Sequence, residues 1–136
     1  MKKSPGFTLL ELMTFLAIFT LIITIALAAF QNYSMRAEFS ELVFAAIPHK
    51  EAVERAIQIR NPSALTDLDG GSLGIPANIT VGETVHGVMV ADGVITMTWQ
   101  HDSTILDGMT YTLTLDDTKP PIQWSRGGSC VGKRLC

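Results

Sequence analysis

The chain has 136 residues, ten basic and thirteen acidic side chains, and a formal charge of −3 at pH 7. That length suits one small folded domain, and the acidic balance excludes a general nucleic-acid-binding surface. Hydrophobic residues make up 47% of the chain and are concentrated before Gln31. An apolar N-terminal segment therefore precedes a remainder of ordinary soluble composition.

The N-terminal segment predicts a membrane-crossing helix. In residues 7–30 the only formal charge is Glu11, and fourteen residues are Leu, Ile or Phe. Each of those contributes roughly −0.3 to −0.6 kcal/mol to insertion, which together outweighs the cost of about 3 kcal/mol for one carboxylate. At about 1.5 Å per residue the segment is roughly 36 Å long, enough to cross the hydrocarbon layer. Lys2 and Lys3 predict that the leader stays cytoplasmic and that the chain after residue 30 lies outside that membrane.

Two ordinary interpretations of this segment stay open. The first is a secretory signal peptide cut after Ala28, at Ala26-Leu27-Ala28, which would release a secreted globular domain. Against it, the apolar run is longer than the usual span of about 7 to 15 residues and contains an acid, Glu11. The second is a plain membrane anchor whose Glu11 side chain reaches toward the membrane edge.

The N-terminus resembles the class III leader and first helix of type IV pilins. The similarity is carried by Lys2-Lys3, by Gly6 and by the run Phe7-Thr8-Leu9-Leu10-Glu11-Leu12-Met13. It implies that a membrane prepilin peptidase cuts between Gly6 and Phe7 and methylates the new amino group of Phe7. The mature chain would carry a formal charge of −5, because two of the ten basic side chains leave with the leader.

Removal of the leader would also give Glu11 a partner. The new ammonium group on Phe7 would pair with Glu11 of a neighbouring subunit, or of its own, as the apolar helices gather in a filament core. A buried ion pair is tolerable only when both partners are present, and it can fix the register between otherwise uniform apolar helices. We therefore expect Phe7 and Glu11 to act in assembly.

The resemblance implies a structural subunit, not an enzyme, that forms a homopolymeric helical filament. The implied partners are the prepilin peptidase, the pilus assembly machinery, the inner membrane before assembly, and DNA or a host or surface receptor. The implied uses are adhesion, twitching motility, biofilm formation and DNA uptake, with no cofactor. Two alternatives remain: a pseudopilin of a type II secretion system, and a minor pilin. Glu11 favours a major or embedded subunit, because minor pilins often lack that acid.

Helical periodicity continues beyond the membrane segment, so we expect one helix over residues 7–60, roughly 80 Å long. Residues 7–30 form its apolar half and residues 31–60 its amphipathic half. Pro48 predicts a kink, since the apolar stripe resumes in phase after it, and Asn61-Pro62 predicts the end. Apolar residues spaced three and four apart form one face: Met35, Phe39, Leu42, Val43, Ala46, Ile47, Val53, Ala56 and Ile57. The opposite, solvated face carries Glu38, Glu41, Glu51, Glu54, Arg55 and Arg60.

The family pattern adds two expectations for this helix. A proline near the position of Pro48 resembles the bend of type IVa pilin helices. Many of those pilins also carry a helix-breaking glycine and proline in the apolar half, where Thr20 and Ala28 stand here. Thr14, Thr20 and Thr24 are expected to bond back to helix carbonyls and soften the helix slightly.

The second half of the chain predicts an irregular connection over residues 61–83 and an antiparallel sheet over residues 84–125. Asp67-Leu68-Asp69-Gly70 is similar to the start of a calcium loop, but its twelfth position is Asn78 where a bidentate glutamate is required, so turn chemistry is favoured. Asp92-Gly93 predicts a hairpin between residues 85–91 and 94–99. Alternation of apolar residues and threonines predicts a strand over residues 109–115, and residues 122–124 a short edge strand after Pro120-Pro121. The fold class is α+β: one long helix on three or four antiparallel strands.

Cys130 and Cys136 are the only cysteines. In a domain outside the cytoplasm they predict a disulfide, which would bound a C-terminal loop over residues 126–136 and hold it on the sheet edge. A metal site is the alternative, but the three histidines are scattered and a second cysteine pair is missing. The loop also resembles the disulfide-bounded region of type IVa pilins, and it favours them over major pseudopilins, which generally bind calcium there.

Basic side chains at the tail suggest one binding hypothesis. Arg126, Lys133 and Arg134 cluster in sequence on an otherwise acidic chain and could contact DNA, although a few solvating charges are the simpler interpretation. No catalytic or nucleotide-binding motif is present in the sequence. His101, Asp102 and Ser103 are adjacent, but a catalytic triad depends on spatial geometry, and turn residues are the expected interpretation.

Overall fold

The structure is a computed structural model that describes residues 6–136. Within this range the chain divides into two compact units, residues up to Ser34 and Met35–Cys136. The predicted leader, apart from Gly6, lies outside the described residues. The helices are α1 (Leu9–Ala45), α2 (Ile47–Arg60) and α3 (Ser129–Gly132), with a short 3-10 turn at Leu65–Asp67; the strands are β1 (Gly87–Ala91), β2 (Val94–Thr98), β3 (Thr110–Leu115) and β4 (Trp124–Gly127).

The first unit is an exposed apolar helix. Every residue from 6 to 33 is exposed, and α1 is long and apolar enough to cross a membrane by length and composition. The helix begins at Leu9, two residues later than predicted, because the Thr8 hydroxyl accepts the Glu11 backbone N–H at 3.2 Å and so caps the first turn. The expected back-bonding is confirmed, since the hydroxyls of Thr14, Thr20 and Thr24 donate to helix carbonyls at 2.7–2.9 Å.

In the second unit, the interruption expected from Pro48 is present as a single turn residue, Ala46, between α1 and α2. Proline has no N–H to donate, and it lies in the first turn of α2, where that group would be unpaired in any case. Asn61 ends α2 as predicted. It adopts a left-handed conformation (φ 44°, ψ 61°), and its N–H donates to the Ile57 carbonyl at 3.2 Å.

The four strands form one antiparallel sheet in the order β1-β2-β3-β4. The Asp92-Gly93 hairpin is confirmed, and both turn residues have positive φ (50° and 74°), as a tight type I′ turn requires. The predicted edge strand is displaced: β4 occupies Trp124–Gly127, not residues 122–124. The shift places Arg126 in the sheet, opposite Leu113 on β3, and not in the C-terminal loop.

The sheet has a helix-facing side and an outer side. The buried core joins α1 and α2 to the inward residues of the sheet; its fully buried members include Phe39, Leu42, Val53, Leu68, Ile95, Met97 and Leu106. Ile47 departs from the predicted apolar stripe, because 44% of its surface is exposed. The outer side carries a ladder of threonines, in which Thr96 pairs with Thr112 and Thr98 with Thr110. Thr114 of β3 lies on the same side, opposite Val94.

The connection before β1 is irregular, as expected, apart from its 3-10 turn and an isolated antiparallel bridge between Ile79 and Val88. Its aspartates accept backbone N–H groups, which is turn chemistry. Asp67 accepts from Ala64 at 3.2 Å, and Asp69 accepts from Asp92 at 2.9 Å, which ties this segment to the hairpin turn. Within residues 6–136 no group of three His, Cys, Asp or Glu side chains is placed to hold a metal ion.

Candidate functional site

The N-terminal residues that the sequence singled out lie at the start of α1. Gly6 and Phe7 precede the helix in irregular, exposed backbone, and 79% of the Phe7 surface is exposed. A peptidase needs such an accessible, unfolded bond. Glu11 lies in the first turn of α1, where the positive end of the helix dipole favours an acid.

Glu11 is also isolated. Its carboxylate makes no hydrogen bond or ion pair with any residue in the described part of the chain. Around it the helix exposes large apolar side chains, such as Leu10, Leu12 and Phe15, together with the hydroxyls of Thr8 and Thr14, which carry no charge. A lone carboxylate on an apolar surface is costly wherever that surface becomes buried. The arrangement therefore calls for a cationic partner when the helix is surrounded by lipid or by other helices.

The C-terminal loop is closed by the predicted disulfide between Cys130 and Cys136. Cys130 is fully buried and belongs to the core, and the Leu135 N–H donates to its carbonyl at 3.0 Å. Before it, Ser129 and Thr110 exchange hydrogen bonds: the Thr110 N–H donates to the Ser129 hydroxyl at 2.9 Å, and the Ser129 N–H to the Thr110 hydroxyl at 3.1 Å. The loop is thus attached to β3 by hydrogen bonds and closed upon itself by the disulfide.

The three basic residues predicted to act together have different surroundings. All three are exposed. Arg126 is a strand residue, and its register opposite Leu113 places it on the helix-facing side of the sheet. Lys133 and Arg134 instead follow α3 in the disulfide loop. Lys133 and Arg134 remain the neighbouring pair at the tail, whereas Arg126 lines a groove against the helices.

That groove was not predicted from the sequence. It lies between the helices and the β4 edge, and Lys50, Tyr111, Trp124 and Arg126 are among its lining residues. The Trp124 indole N–H donates to Glu54 Oε1 at 2.8 Å, and Lys50 Nζ lies 3.9 Å from the same oxygen. Glu54 is therefore a structural acceptor and not only part of a solvated helix face. Burial raises the pKa of Tyr111, while the positive charge of Arg126 acts in the opposite direction.

The segment around His101, Asp102 and Ser103 forms a turn and not a catalytic triad. His101 Nδ1 lies 2.7 Å from Asp107 Oδ1, whereas Asp102 accepts from Trp99 Nε1 at 2.9 Å and from the Thr104 hydroxyl at 2.6 Å. The bond from the Thr104 hydroxyl, supported by that from Trp99, holds the pKa of Asp102 well below its usual range, although burial acts against it. His101 and Asp102 therefore bond to other groups and not to one another.

Comparison with known proteins decides the family. The family profile of the prokaryotic N-terminal methylation motif matches residues 1–27. The chain is 33% identical over 128 residues to prepilin peptidase-dependent protein D of Escherichia coli K12, covering 93% of this chain and 84% of that protein. It is also 33% identical over 121 residues to fimbrial protein EcpC of Eikenella corrodens, covering 86% of this chain and 76% of the relative.

The chain belongs to the type IV pilin family.

Similarity also extends to a major pilin. The present chain is 35% identical over 97 residues to type IV major pilin protein PilE1 of Neisseria gonorrhoeae. The aligned region covers 71% of the present chain but 44% of PilE1. The long N-terminal helix, the four-stranded antiparallel sheet and the C-terminal disulfide together fit the pilin fold. The predicted family and fold class are therefore confirmed.

Proposed function

We propose that this pilin is a structural subunit that polymerises through its N-terminal helix into a type IV pilus. The observation that carries the proposal is Glu11, the only charge within residues 7–30, which is exposed on an apolar helix without a partner in the described part of the chain. Cleavage between Gly6 and Phe7 by a prepilin peptidase, followed by N-methylation of Phe7, would supply an ammonium group four residues before it. Family membership supports the same processing and assembly.

In this proposal each part of the chain has a defined role. Residues 1–6 are a leader that is removed, residues 7–30 cross the inner membrane and then form the filament core, and residues 31–60 carry the sheet. Residues 61–83 connect helix and sheet, residues 84–125 contain most of the sheet, and residues 126–136 contain the end of β4 and the tail closed by the disulfide. The assembled filament would lie on the bacterial surface, where its uses would be adhesion, twitching motility or DNA uptake.

The proposal is tested first by intact mass of the protein in material sheared from the cell surface, with and without reduction. We expect a chain that begins at N-methylated Phe7 and gains two hydrogens when the Cys130 to Cys136 bond is reduced. A chain that begins at Ala29 would instead identify a secreted domain released by a signal peptidase. A protein that is processed at Phe7 but absent from the sheared fraction would identify a periplasmic pseudopilin.

The second test is Glu11→Ala. We expect the variant to be cleaved, methylated and retained in the membrane at normal levels, but to yield few filaments, because the Phe7 ammonium would lack its partner and removal of one member of a buried pair costs about 3 to 5 kcal/mol. Glu83→Ala, which removes an exposed acid outside the helix, is the matched control. Normal piliation by the Glu11 variant would refute the assembly role.

A pseudopilin of a type II secretion system is the second candidate. The name of the Escherichia coli relative states dependence on prepilin peptidase and not a filament type. A pseudopilin would use the same leader, helix and sheet. Deletion separates the two functions: loss of surface filaments supports the pilus, and loss of secreted proteins with filaments retained supports the secretion apparatus.

The contact with DNA is a narrower proposal, now limited to the tail. Lys133 and Arg134 are adjacent and exposed in the disulfide loop, where they could neutralise phosphates. We expect the double change to alanine to weaken DNA capture by filaments and to reduce its salt dependence. Unchanged capture at every salt concentration would assign these residues a solvating role only.

A further inference from the structure

The groove beside β4 has the lining of a carboxylate-binding site. It encloses about 250 Å³, which suits one side chain better than a drug-sized molecule. Trp124 and Ile47 supply apolar walls, and Lys50 and Arg126 supply two positive charges beside them. Lys50 Nζ lies 6.0 Å from the centre of the Trp124 ring, so the ammonium group is held near the aromatic wall.

Donor groups in this groove are only partly satisfied within the subunit. The side chain of Tyr111 is mostly buried, but its hydroxyl reaches solvent and has no hydrogen-bond partner among residues 6–136. Within the same range no carboxylate lies within 4.0 Å of the Arg126 guanidinium. Among residues 6–136, Glu54 is the only acid with a carboxylate oxygen within 4.0 Å of Lys50 Nζ, and the same oxygen already accepts the Trp124 N–H. The Tyr111 hydroxyl and the Arg126 guanidinium have no partner in the described residues, and the Lys50 ammonium has only Glu54. A carboxylate that replaced water on these donors would form charge-assisted hydrogen bonds.

A complementary pair of acids lies elsewhere on the same subunit. Glu38 and Glu41 are exposed on α1, and their spacing of three residues places the two like charges side by side on the helix, which is unfavourable. No basic side chain from residue 6 onward approaches either carboxylate within 4.0 Å. This pair would gain from a cationic partner that the subunit itself does not provide.

We propose that the groove of one subunit receives a carboxylate from the Glu38 and Glu41 pair of a second copy of this chain. The inference rests on the proposed function, because it names a contact within the filament. Complementary surfaces at different places on one molecule form a head-to-tail interface, which repeats as an open filament when it does not close into a ring. A second copy is the favoured occupant because the mature chain carries an excess of five negative charges and the filament packs its subunits at high local concentration.

The contact also fixes a geometry. Glu41 and Glu38 precede Lys50 by nine and twelve residues. If the helices of the two subunits run parallel, the partner must be displaced along the axis by about 14 to 18 Å, at about 1.5 Å per residue. The same distance prevents Lys50 from reaching either acid of its own subunit.

Zero-length crosslinking of sheared filaments with a carbodiimide tests the contact directly. We expect peptides in which Lys50 is joined to Glu38 or Glu41, and these links must connect two subunits because of the separation along the helix. A link between Lys50 and Glu54 of one subunit shows that the reagent reaches the groove. If Lys50 is joined only to Glu54 or to other acids, the proposal is wrong.

Charge reversal provides an independent test. Arg126→Glu, and separately Glu38→Lys with Glu41→Lys, should each lower the yield of sheared filaments at least about tenfold, which corresponds to about 1.4 kcal/mol. Combining the two sets should restore part of the yield. Lys119→Glu and Glu83→Lys reverse exposed charges outside the proposed contact and should leave the yield unchanged.

The outcomes separate this contact from the proposed function. Normal filament yield from Arg126→Glu would overturn the contact while leaving the pilus intact, whereas absence of filaments from the unaltered chain would overturn the pilus itself. Membrane level and the two-hydrogen mass gain on reduction show whether each variant folds and oxidises. Where a variant does not fold, crosslinking of the unaltered filament decides.

Discussion

Removal of the C-terminal disulfide should cost a calculable part of the stability of this pilin. The double change Cys130→Ala with Cys136→Ala opens a ring whose ends are six residues apart. In the loop-entropy model such a ring contributes roughly 2.4 kcal/mol by restricting the unfolded chain. Alanine suits the fully buried position of Cys130 better than serine, which would bury an additional hydroxyl. The reciprocal hydrogen bonds between Ser129 and Thr110 remain, so the expected loss is mainly this entropy.

The measurement is thermal unfolding of the full chain in detergent, followed by circular dichroism. For a folded unit of this size, a loss of roughly 2.4 kcal/mol lowers the melting temperature by about 10 °C or more. Val131→Ala is the matched control, because it alters a half-exposed residue inside the ring and leaves the bond intact. A double variant that loses less than about 0.5 kcal/mol would refute the reasoning, since the ring would then add nothing measurable to the entropy of the unfolded state.

Three further outcomes follow from the structure. Phe39→Ala should lower the free energy of unfolding by about 3 to 5 kcal/mol in a denaturant titration, because the ring is fully buried and stacks on Trp99 at 6.0 Å; a loss below about 1 kcal/mol would contradict the packing. Gly128→Ala should destabilise by about 1 kcal/mol or more, since φ is 101° and a Cβ would overlap the Thr110 carbonyl; an unchanged melting temperature would contradict that strain. Asp102→Asn should lower the melting temperature at pH 7. Because the folded pKa of Asp102 is depressed, its contribution to stability is complete above the usual pKa of about 4 and is lost as the pH falls below that value. The melting temperatures of the unaltered chain and the variant should therefore converge in acid. A difference independent of pH would exclude the charged carboxylate as the cause.

Features determined by neighbouring residues were predicted well. The Asp92-Gly93 hairpin and the end of α2 at Asn61 depend on backbone conformations that those residue types adopt readily. The interruption beside Pro48 follows in the same way from a missing N–H. The predicted start of β4 was wrong by two residues because the extent of an edge strand depends on its partner strand. The pairing of Ser125 and Arg126 with β3 determines where β4 lies, and the residues around β4 do not indicate that pairing.

The groove could not be predicted for a related reason. Trp124 and Glu54 are 70 residues apart, and only the register of β4 brings Trp124 and Arg126 to the helix-facing side. In the sequence, Lys50 and Glu54 form an ordinary pair on a helix, and Arg126 belongs to a basic tail. In contrast, the N-terminal residues Gly6, Phe7 and Glu11 form one continuous motif, so the proposed assembly site was recognisable before the fold was known.

The threonine ladder on the outer side of the sheet has a consequence for the substitutions that the sheet tolerates. Thr96, Thr112 and Thr114 project away from the helices. Threonine is common at such positions because it favours strands, and not because it packs in the core. Many residues of similar shape could replace these hydroxyls at little cost in stability. Single substitutions would therefore change the chemistry of this face without unfolding the sheet, whereas changes on the buried side of the same strands would be costly.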